Sequence, residues 1–345
     1  MKISAPLRIV LWPFSQVWSG AVRLRAASFR RGLLAKRRLP GVVISVGNLT
    51  AGGTGKTPMV LWLAERLRAE GKRVGILTRG YRSRPNASAG APQSDEVAIY
   101  LQRLGHHVEL GVGADRFASG TVLARHGVEW FLLDDGFQHM QLDRDVDIVM
   151  LDATNPFGGG MLLPAGLLRE PKSALRRADA VVITRSDRAP AVEAVVRRYS
   201  NAPIFYATTK AREVVRLDCV STGQLSYLSP EYFHKKKAFA FCGIGNPQAF
   251  FEDLRAWGAT LAGTESFPDH HSFTPQDAER LDAKAQKSGA EFLICTEKDV
   301  FNLGEIQFKS VPVYFVRIDL RIHDANGFWS SIQQTIERRR GSSTA

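Results

Sequence analysis

The feature that most constrains the fold is VVISVGNLTAGGTGKTP, residues 42–58. An apolar run that predicts a buried strand leads into a glycine-rich turn, and a Lys-Thr pair then opens a helix. In this order the backbone N–H groups can cradle phosphate oxygens, while the lysine reaches the terminal phosphates and the threonine hydroxyl reaches Mg²⁺. The stretch predicts a phosphate-binding loop made of Thr50, Ala51, Gly52, Gly53, Thr54, Gly55, Lys56 and Thr57.

The loop departs from the usual spacing at its first position, where Thr50 replaces a glycine. Gly52, Gly53 and Gly55 still allow close backbone approach and positive φ angles. The alternative is a glycine-rich turn that binds nothing. The order of strand, loop, Lys-Thr and helix favours the nucleotide loop.

A second motif, EWFLLDDGFQH at residues 129–139, supplies the acids that such a loop requires. Trp130 to Leu133 predict a buried strand, and Asp134 and Asp135 follow at its C-terminal end. Kinases and NTPases of this type hold Mg²⁺ with a carboxylate in this position. Two acids leaving a buried strand are costly without a cation or hydrogen-bonding partners, which favours a metal site over a plain polar turn.

The remaining chain alternates short apolar runs with helical patterns, which predicts an α/β fold with a doubly wound, mainly parallel sheet. After residue 207 the alternation restarts on a smaller scale, and 345 residues suit two domains. We expect an N-terminal segment, a P-loop kinase-type domain, a junction and a smaller α/β domain, with boundaries at 1–38, 39–209, 210–237 and 238–345.

Charge and cysteine content narrow the protein class further. The formal net charge is +12, yet no Asp or Glu occurs before Glu65. Cys219, Cys242 and Cys295 are far apart and form no Cys-x-x-Cys pair, so neither a disulfide framework nor a zinc site is indicated. A reducing compartment is the simplest interpretation.

The N-terminal segment is basic, apolar and aromatic at once, with Trp12, Phe14 and Trp18 among its arginines. The uncharged run from Ile9 to Val22 is shorter than the roughly 20 residues that a spanning helix needs. Pro13 and the following arginines fit a secretory signal poorly. Two interpretations stay open: an amphipathic helix in a membrane interface near anionic head groups, and a helix packed on the domain.

Parts of the sequence suggest two further functional classes. A membrane-associated P-loop GTPase or ATPase switch is suggested by VVITRSD, residues 181–187, which faintly resembles a guanine-reading loop. Against it, Asp134-Asp135-Gly136 lacks the two-residue gap expected of a γ-phosphate switch. A pI near 9.8 suggests nucleic-acid binding, but the basic charge lies beside apolar and Trp residues, which favours lipid.

Several motifs together resemble one family. SVGNLTAGGTGKTP, TRGYRS (78–83), SDE (94–96), LLDDGFQH, LLPAGLLREP (162–171) and TEKD (296–299) occur in the order found in the tetraacyldisaccharide 4′-kinases of lipid A biosynthesis. The resemblance extends to about Asp319. It implies an ATP- and Mg²⁺-dependent transfer to the 4′-hydroxyl of an acylated glucosamine disaccharide 1-phosphate. It also implies a peripheral position on the cytoplasmic face of the bacterial inner membrane, with no nucleic acid and no obligate protein partner.

The same resemblance implies residue roles. Lys56 and Thr57 would hold the phosphates and Mg²⁺, and Asp134 and Asp135 the metal. Asp95 matches the family's proposed base and His270, in FPDHHSF, the histidine that assists it. The residues that match other site positions are Glu96, Arg116, Gln138, His139, Arg169 and Glu170.

From the residues alone, Asp95 and His270 have plainer explanations. Ser94 followed by two acids is typical of a helix start, with the serine as N-cap and the acids favoured by the helix dipole. His270 and His271 could simply lead into the helix expected near Pro275. A carboxylate that accepts the proton of a sugar hydroxyl would contribute about 10² to 10⁴ in rate, which gives the distinction a measurable consequence.

Overall fold

A computed structural model of the chain describes residues 5–80, 94–217, 227–234, 236–304 and 306–341. The residues fall into two compact units. Unit 1 comprises the described residues of 1–86, 100–208 and 320–345, and unit 2 those of 87–99 and 209–319. Tyr81 to Ser83 of the TRGYRS motif, Cys219 and the last four residues lie outside the described ranges.

The strands are numbered in chain order. They are β1 (Val42–Asn48), β2 (Val74–Thr78), β3 (Glu109–Val112), β4 (Trp130–Asp134), β5 (Val146–Asp152), β6 (Ala180–Thr184), β7 (Ile204–Arg216), β8 (Tyr227–Leu228), β9 (Lys237–Cys242), β10 (Thr260–Ser266), β11 (Phe292–Thr296) and β12 (Val313–Ile322).

The described α-helices are numbered in the same way. They are α1 (Ala5–Arg30), α2 (Lys56–Ala69), α3 (Asp95–Leu104), α4 (Arg116–Arg125), α5 (Pro190–Arg197), α6 (Pro247–Ala256), α7 (Pro275–Ser288), α8 (Glu297–Leu303) and α9 (Ala325–Gly341).

Unit 1 is built on a parallel sheet with the strand order β6-β5-β1-β4-β2-β3. The first residues of β7 pair with β6 in the same direction. Every residue of β1, β2, β5 and β6 is buried, as expected for parallel strands covered on both faces. The predicted mainly parallel α/β fold is confirmed.

The register of this sheet positions the phosphate loop. Strand β1 pairs with β4 so that Val46 lies opposite Asp134, and the loop follows directly after β1. The C-terminal ends of parallel strands share one edge of a sheet, where ligands of open α/β folds bind. The two sequence motifs therefore meet at one edge of unit 1.

In unit 2 the strands β10, β9, β11 and β12 lie parallel to one another, with the second half of β7 beside β12. Apolar side chains form a core on each face of the sheet. One cluster includes Phe241, Phe267 and Phe315, and the other includes Phe250 and Phe292. This confirms the expectation of a further α/β sheet after residue 207.

The boundaries of the units differ from the sequence prediction at three places. Residues 210–216, expected in a junction, continue β7, and β8 pairs with them. Residues 94–99 belong to unit 2, whereas α9 belongs to unit 1. Arg340 in α9 bonds Asp145, and Arg339 bonds Asp179, which ties this helix to unit 1. The local hydropathy pattern does not show which of two cores a segment packs against, so these differences could not be predicted from it.

Helix α1 docks on unit 1 along one face only. Ser15 Oγ donates to the Leu162 carbonyl and accepts from the Ala165 N–H, both at 3.0 Å. The Trp18 indole N–H donates to the Arg169 carbonyl at 3.1 Å. A second stripe with helical spacing is 49–74% exposed and apolar: Leu7, Val10, Phe14, Val17 and Leu24. No helix in the described ranges is long and apolar enough to cross a bilayer.

Candidate active site

The phosphate loop begins with a short extended segment. Thr50 is buried and forms an antiparallel bridge with Leu168, while the Ala51 N–H donates to the Leu167 carbonyl at 2.7 Å. Extended backbone suits threonine and requires no glycine. The bridge explains why Thr50 can stand where a glycine is usual.

The rest of the loop needs its glycines. Gly52 has φ +126° and Gly55 has φ +86°, in the left-handed region where Gly55 caps the N-terminus of α2. Asn48 supports the turn, since its amide Nδ2 donates to the Gly52 carbonyl at 3.3 Å and to Thr54 Oγ1 at 3.0 Å. The loop therefore presents a fixed backbone at a helix N-terminus, which is an anion-binding arrangement.

Charged side chains converge beside the loop. Lys56 Nζ lies 3.6 Å from Asp135 Oδ1, and Arg169 Nη1 donates to Asp135 Oδ2 at 2.6 Å. Burial raises the pKa of Asp135, but the charges of Lys56 and Arg169 outweigh burial and bring the pKa to about 2. Asp135 is therefore a carboxylate at neutral pH, and its φ of +50° reflects the sharp turn after β4.

The donors near the loop fit Mg²⁺, a hard cation that prefers oxygen ligands. Asp135 Oδ1 accepts no hydrogen bond from the described residues. Asp134, at the end of β4, is buried and accepts a long hydrogen bond of 3.5 Å from Thr78 Oγ1. The Thr57 hydroxyl is carried by the first turn of α2. A hydroxyl and two carboxylates form an oxygen donor set that suits this ion.

A hydrogen-bonded network supports the acids. Gln138 Nε2 donates to the Asn48 carbonyl at 3.0 Å and to Glu170 Oε1 at 3.1 Å. Buried Glu170 accepts two bonds from the Arg177 guanidinium, at 2.8 and 2.9 Å. Arg169 Nη1 also lies 3.5 Å from Gln138 Oε1. Gln138, Arg169 and Glu170, all singled out in the sequence, thus form one network with the phosphate loop.

Arg116 and His139 occupy the same charged region without a direct contact to the loop among the hydrogen bonds described. Arg116 is buried and donates to the Ala114 carbonyl at 3.2 Å. Burial and Arg79 lower the pKa of Arg116, whereas Asp135 and Asp134 oppose that shift. Burial and Arg116 lower the pKa of His139 to about 4, so this histidine is neutral at pH 7.

Unit 2 contains the second group of predicted site residues. His270 Nδ1 lies 3.0 Å from Asp95 Oδ2, and Asp95 is 7% exposed. Because a carboxylate only accepts, Nδ1 carries the proton of this bond. Burial raises the pKa of Asp95, but the His270 bond and the Lys298 charge hold it well below its usual value. The Asp95 bond raises the pKa of His270 against the effect of burial.

Ser94 and Asp95 have different hydrogen-bond partners at the start of α3. Ser94 Oγ accepts from the Val97 N–H at 3.3 Å and so serves as the cap of α3. Asp95 uses Oδ1 for the Glu96 N–H, at 3.0 Å, and turns Oδ2 toward His270. The capping role expected from the sequence therefore belongs to Ser94 and leaves Asp95 available for chemistry.

The two neighbouring histidines have different partners. His271 Nε2 lies 3.0 Å from Asp277 Oδ2, and its ring stacks on Phe267 at 4.8 Å. Asp277 belongs to the capping box of α7, so His271 contributes to local structure. His270 alone of the pair contacts Asp95 among the described hydrogen bonds.

Asp95, Glu96 and His270 lie close enough to suggest a cation site, with one ligand atom of each within 4.8 Å of the others. Lys298 Nζ lies 3.1 Å from Glu96 Oε1, however, and His270 donates to Asp95. These positive partners already balance the carboxylates. The arrangement fits a proton-accepting pair better than a metal centre.

Sequence reasoning missed several residues of this site. Arg177 holds Glu170, and its guanidinium also lies 4.3 Å from the centroid of the Phe137 ring. Asn48 precedes the loop in the sequence, and nothing in this position predicts that its side chain closes the turn. The contact of Lys298 with Glu96 could not be predicted from the TEKD motif, because the two residues are 202 positions apart.

Comparisons with known proteins agree over nearly the whole chain. The family model described as tetraacyldisaccharide-1-P 4′-kinase matches residues 7–337. A tetraacyldisaccharide 4′-kinase of Geobacter metallireducens is 37% identical, covering 92% of this chain and 94% of the relative. One of Halothermothrix orenii is 35% identical, covering 91% and 90%.

A solved structure is similar as well. LpxK from Aquifex aeolicus, crystallised in complex with ATP, superposes with a TM-score of 0.72 at 29% sequence identity. The match covers 96% of this chain and 99% of that one. The similarity therefore includes the segments of both units.

Proposed function

The chain belongs to the tetraacyldisaccharide-1-P 4′-kinase family, and from this premise we propose the roles of the residues that perform its reaction. The protein is a kinase of lipid A biosynthesis that transfers a phosphoryl group from ATP to the 4′-hydroxyl of a tetraacylated glucosamine disaccharide 1-phosphate. The observation that carries the proposal is the joining of the phosphate loop to Asp135 through Lys56.

The loop binds the ATP phosphates in this proposal. Its backbone N–H groups and the N-terminus of α2 face the anionic oxygens, and Lys56 moves from Asp135 toward the terminal phosphates. Its ammonium then stabilises charge as the bond to the leaving group breaks. Arg169 remains beside Asp135 and keeps that carboxylate ionised.

Thr57, Asp134 and Asp135 would hold Mg²⁺. The ion would neutralise negative charge on the phosphates during transfer. Gln138, Glu170 and Arg177 hold the surrounding backbone and side chains in place. We assign Arg116 and His139 to the outer part of the same charged region, with His139 neutral because of burial and Arg116.

Asp95 accepts the proton of the acceptor hydroxyl. The 4′-oxygen forms a bond to the γ-phosphorus while the bond from that phosphorus to the β–γ bridging oxygen breaks, and the hydroxyl proton passes to Asp95. The hydroxyl proton becomes more acidic as its oxygen bonds to phosphorus, so a carboxylate of low pKa can accept this proton. His270 orients Asp95 through Oδ2.

We also propose that α1 binds the membrane that contains the acceptor. Each buried CH₂ contributes about 0.8 kcal/mol, so lifting several acyl chains into water would cost tens of kcal/mol. The stripe of Leu7, Val10, Phe14, Val17 and Leu24 is exposed although it is apolar, which fits insertion into an interface. The segment's arginines suit anionic head groups, which supports a peripheral position at the cytoplasmic face of the inner membrane.

The chemistry is tested by incubating the protein with labelled ATP or GTP, with and without the disaccharide 1-phosphate in detergent micelles. We expect Mg²⁺-dependent labelling of the disaccharide with ATP preferred. Asp134→Asn and Asp135→Asn should each raise the Mg²⁺ concentration needed for half-maximal transfer. Nucleotide hydrolysis with no labelled disaccharide, at equal rates with and without acceptor, would instead support the switch alternative.

The membrane role is tested by co-sedimentation with vesicles that contain phosphatidylglycerol. Replacing Val10, Phe14 and Val17 by Ser should weaken binding at least about 10-fold, because each loses an apolar contribution of roughly 1–3 kcal/mol. Trp18 is left unchanged because its indole anchors α1 to the Arg169 carbonyl. High salt should release the wild type only partly, since insertion is not screened as charge is.

The matched control replaces three exposed apolar residues elsewhere in unit 1, Leu101, Val122 and Tyr199, by Ser. This control should bind vesicles like the wild type. If the α1 variant also binds normally but melts at a much lower temperature, the stripe packs in a core and the membrane proposal fails.

A further inference from the structure

The TEKD motif has no role in the chemistry proposed so far. Its last two residues nevertheless bond Glu96, which follows Asp95, and Gly243, which bonds His270. We propose that Lys298 and Asp299 are positioning residues, with Lys298 fixing the Asp95 segment and Asp299 fixing the His270 segment. This inference rests on the proposed roles of Asp95 and His270. All of these residues belong to unit 2.

Asp299 fixes His270 through one intervening residue. Asp299 Oδ1 accepts from the Gly243 N–H at 2.8 Å, and the Gly243 carbonyl accepts from the His270 N–H at 2.9 Å. Asp299 is fully buried, and its Oδ2 also accepts from the N–H and hydroxyl of Thr296. The carboxylate therefore connects the end of β9, the start of α8 and the loop that carries His270.

The connection is tight and holds a strained residue. A Cβ added to Gly243 would lie 3.1 Å from the Pro268 carbonyl oxygen and 3.2 Å from His271 Cβ. His270 itself has φ +57°, which is unfavourable for a residue with a side chain. A strained conformation persists only where its surroundings hold it. The Asp299–Gly243 bond supplies such a hold.

Lys298 fixes the other partner. Its Nζ lies 3.1 Å from Glu96 Oε1, and Glu96 follows Asp95 in the first turn of α3. Its positive charge lowers the pKa of Asp95 and also opposes protonation of His270. The other charged groups that face the pair are Glu96 from α3, Asp269 from the histidine's own loop and Asp299 from α8.

The first turn of α8 is well suited to hold both partners because it is itself anchored. Thr296 and Asp299 form a capping box at its start. Glu297 is buried and pairs with Arg317 Nε at 2.8 Å, and Arg317 also bonds Glu213 at 2.9 Å. Two consecutive residues of one anchored turn thus contact Glu96, which follows Asp95, and Gly243, which bonds His270.

The experiment compares Lys298→Met, Lys298→Arg and Asp299→Asn with Glu297→Gln, which removes a buried charge from the same turn without touching the pair. Each variant is assayed for kcat, for KM with ATP and for melting temperature. The pKa of His270 is followed by NMR of ¹³C-labelled histidine. Gly243→Ala is a second test of the Asp299 connection, should Asp299→Asn fail to fold.

We expect Lys298→Met to lower kcat about 10-fold and Asp299→Asn or Gly243→Ala to lower it about 10- to 100-fold, with KM for ATP unchanged, because sub-ångström displacement of a reacting group is costly. Lys298→Met should raise the His270 pKa, since a nearby positive charge is lost. Lys298→Arg should restore both properties. Glu297→Gln should lower the melting temperature and leave kcat within about two-fold.

The inference is overturned if the Lys298 and Asp299 variants resemble Glu297→Gln, with lower melting temperature and unchanged kcat and His270 pKa. Asp95→Asn is assayed in parallel. If that variant retains transfer, the proposed base itself is wrong. If it loses transfer while the Lys298 and Asp299 variants do not, only the positioning inference fails.

Discussion

The phosphate loop of unit 1 and the Asp95–His270 pair of unit 2 are assembled in opposite ways. The loop lies in one stretch of eight residues, and its acids stand at the end of the adjacent strand β4. Asp95 and His270 are separated by 175 residues and meet only through tertiary structure. The geometry of a site formed by consecutive residues depends on the local backbone. The geometry of a site formed by distant residues depends on the tertiary contacts that hold their segments.

The two sites also differ in how positive groups balance their carboxylates. Asp135 is balanced by Lys56 and Arg169, so removing either cation leaves the other in place. Asp95 is balanced by His270 and by Lys298 acting through Glu96, while fully buried Asp299 lies behind them. We therefore expect the first site to fail when a phosphate-binding group is lost, and the second to fail when geometry is lost.

The largest expected effect is that of Lys56→Ala in the contiguous site. The ammonium stabilises charge that spreads over the terminal phosphates in the transition state, and no other described side chain of the loop carries a positive charge. Transfer should fall at least about 10³-fold, by the size of such electrostatic effects. Initial rates with labelled ATP and the disaccharide 1-phosphate measure it.

Lys72→Ala is the control for this variant. Lys72 follows α2, is exposed and lies 6.0 Å from the Trp130 ring centroid. Its replacement should leave transfer within about two-fold and lower stability by at most about 1 kcal/mol. Transfer by Lys56→Ala within a few-fold of the wild type would remove the phosphate loop from the mechanism.

The second prediction concerns the assembled site. Asp95→Asn should lower kcat by about 10²- to 10⁴-fold with little change in KM for ATP, because an amide cannot accept the hydroxyl proton. Ser94→Ala tests capping alone, and should cost about 1 kcal/mol of stability with a much smaller loss of kcat. If the two variants exchange these outcomes, Asp95 is a helix cap and not the base.

Sequence reasoning succeeded where chemistry is local. The order of β1, the phosphate loop and α2 follows from apolar periodicity and glycine positions. A role for the acids at the end of β4 can be predicted because two carboxylates at the end of a buried strand are costly without a cation or hydrogen-bonding partners. The parallel sheet of unit 1 could be predicted for the same reason, since continuous apolar runs indicate strands covered on both faces.

The assembled site required more than local patterns. Asp95 and His270 could be named only because their motifs resembled a family, and their 3.0 Å contact depends on packing within unit 2. Gly243 and Asp299 carry no recognisable signal, because a buried acid after a threonine reads as a capping box and nothing more. The sequence likewise gives no local signal that α9 belongs to unit 1.

The third prediction compares the pH dependence of the two sites. Complete burial raises the pKa of Asp299 to about 6, although bonds from Thr296 and Gly243 oppose this. The native state therefore holds a proton that the unfolded chain releases near pH 4, so the free energy of unfolding should fall as pH rises from about 4 to 6. The part due to Asp299 is at most about 3 kcal/mol.

The contribution of Asp135 to the free energy of unfolding should change with pH in the opposite direction. Its pKa of about 2 lies below the unfolded value, so its contribution is present above about pH 4 and is lost as pH falls toward 2. Urea unfolding between pH 3 and 7 measures both. Asp299→Asn should remove the loss between pH 4 and 6, and Asp135→Asn should flatten the slope below pH 4. An unchanged slope for Asp299→Asn would mean that its carboxylate is ionised throughout.

The smallest expected effect distinguishes His271 from its neighbour. His271→Asn removes the stacking on Phe267 and the bond to Asp277, which together should cost about 1–2 kcal/mol of stability. The His270 N–H would still bond the Gly243 carbonyl, so the loop should keep its conformation and kcat should stay within about three-fold. His270→Asn should instead lower kcat with little loss of stability, because His270 is partly exposed and its main bond is to Asp95. Equal losses of kcat in the two variants would show that the loop is held by His271 rather than by Gly243 and Asp299.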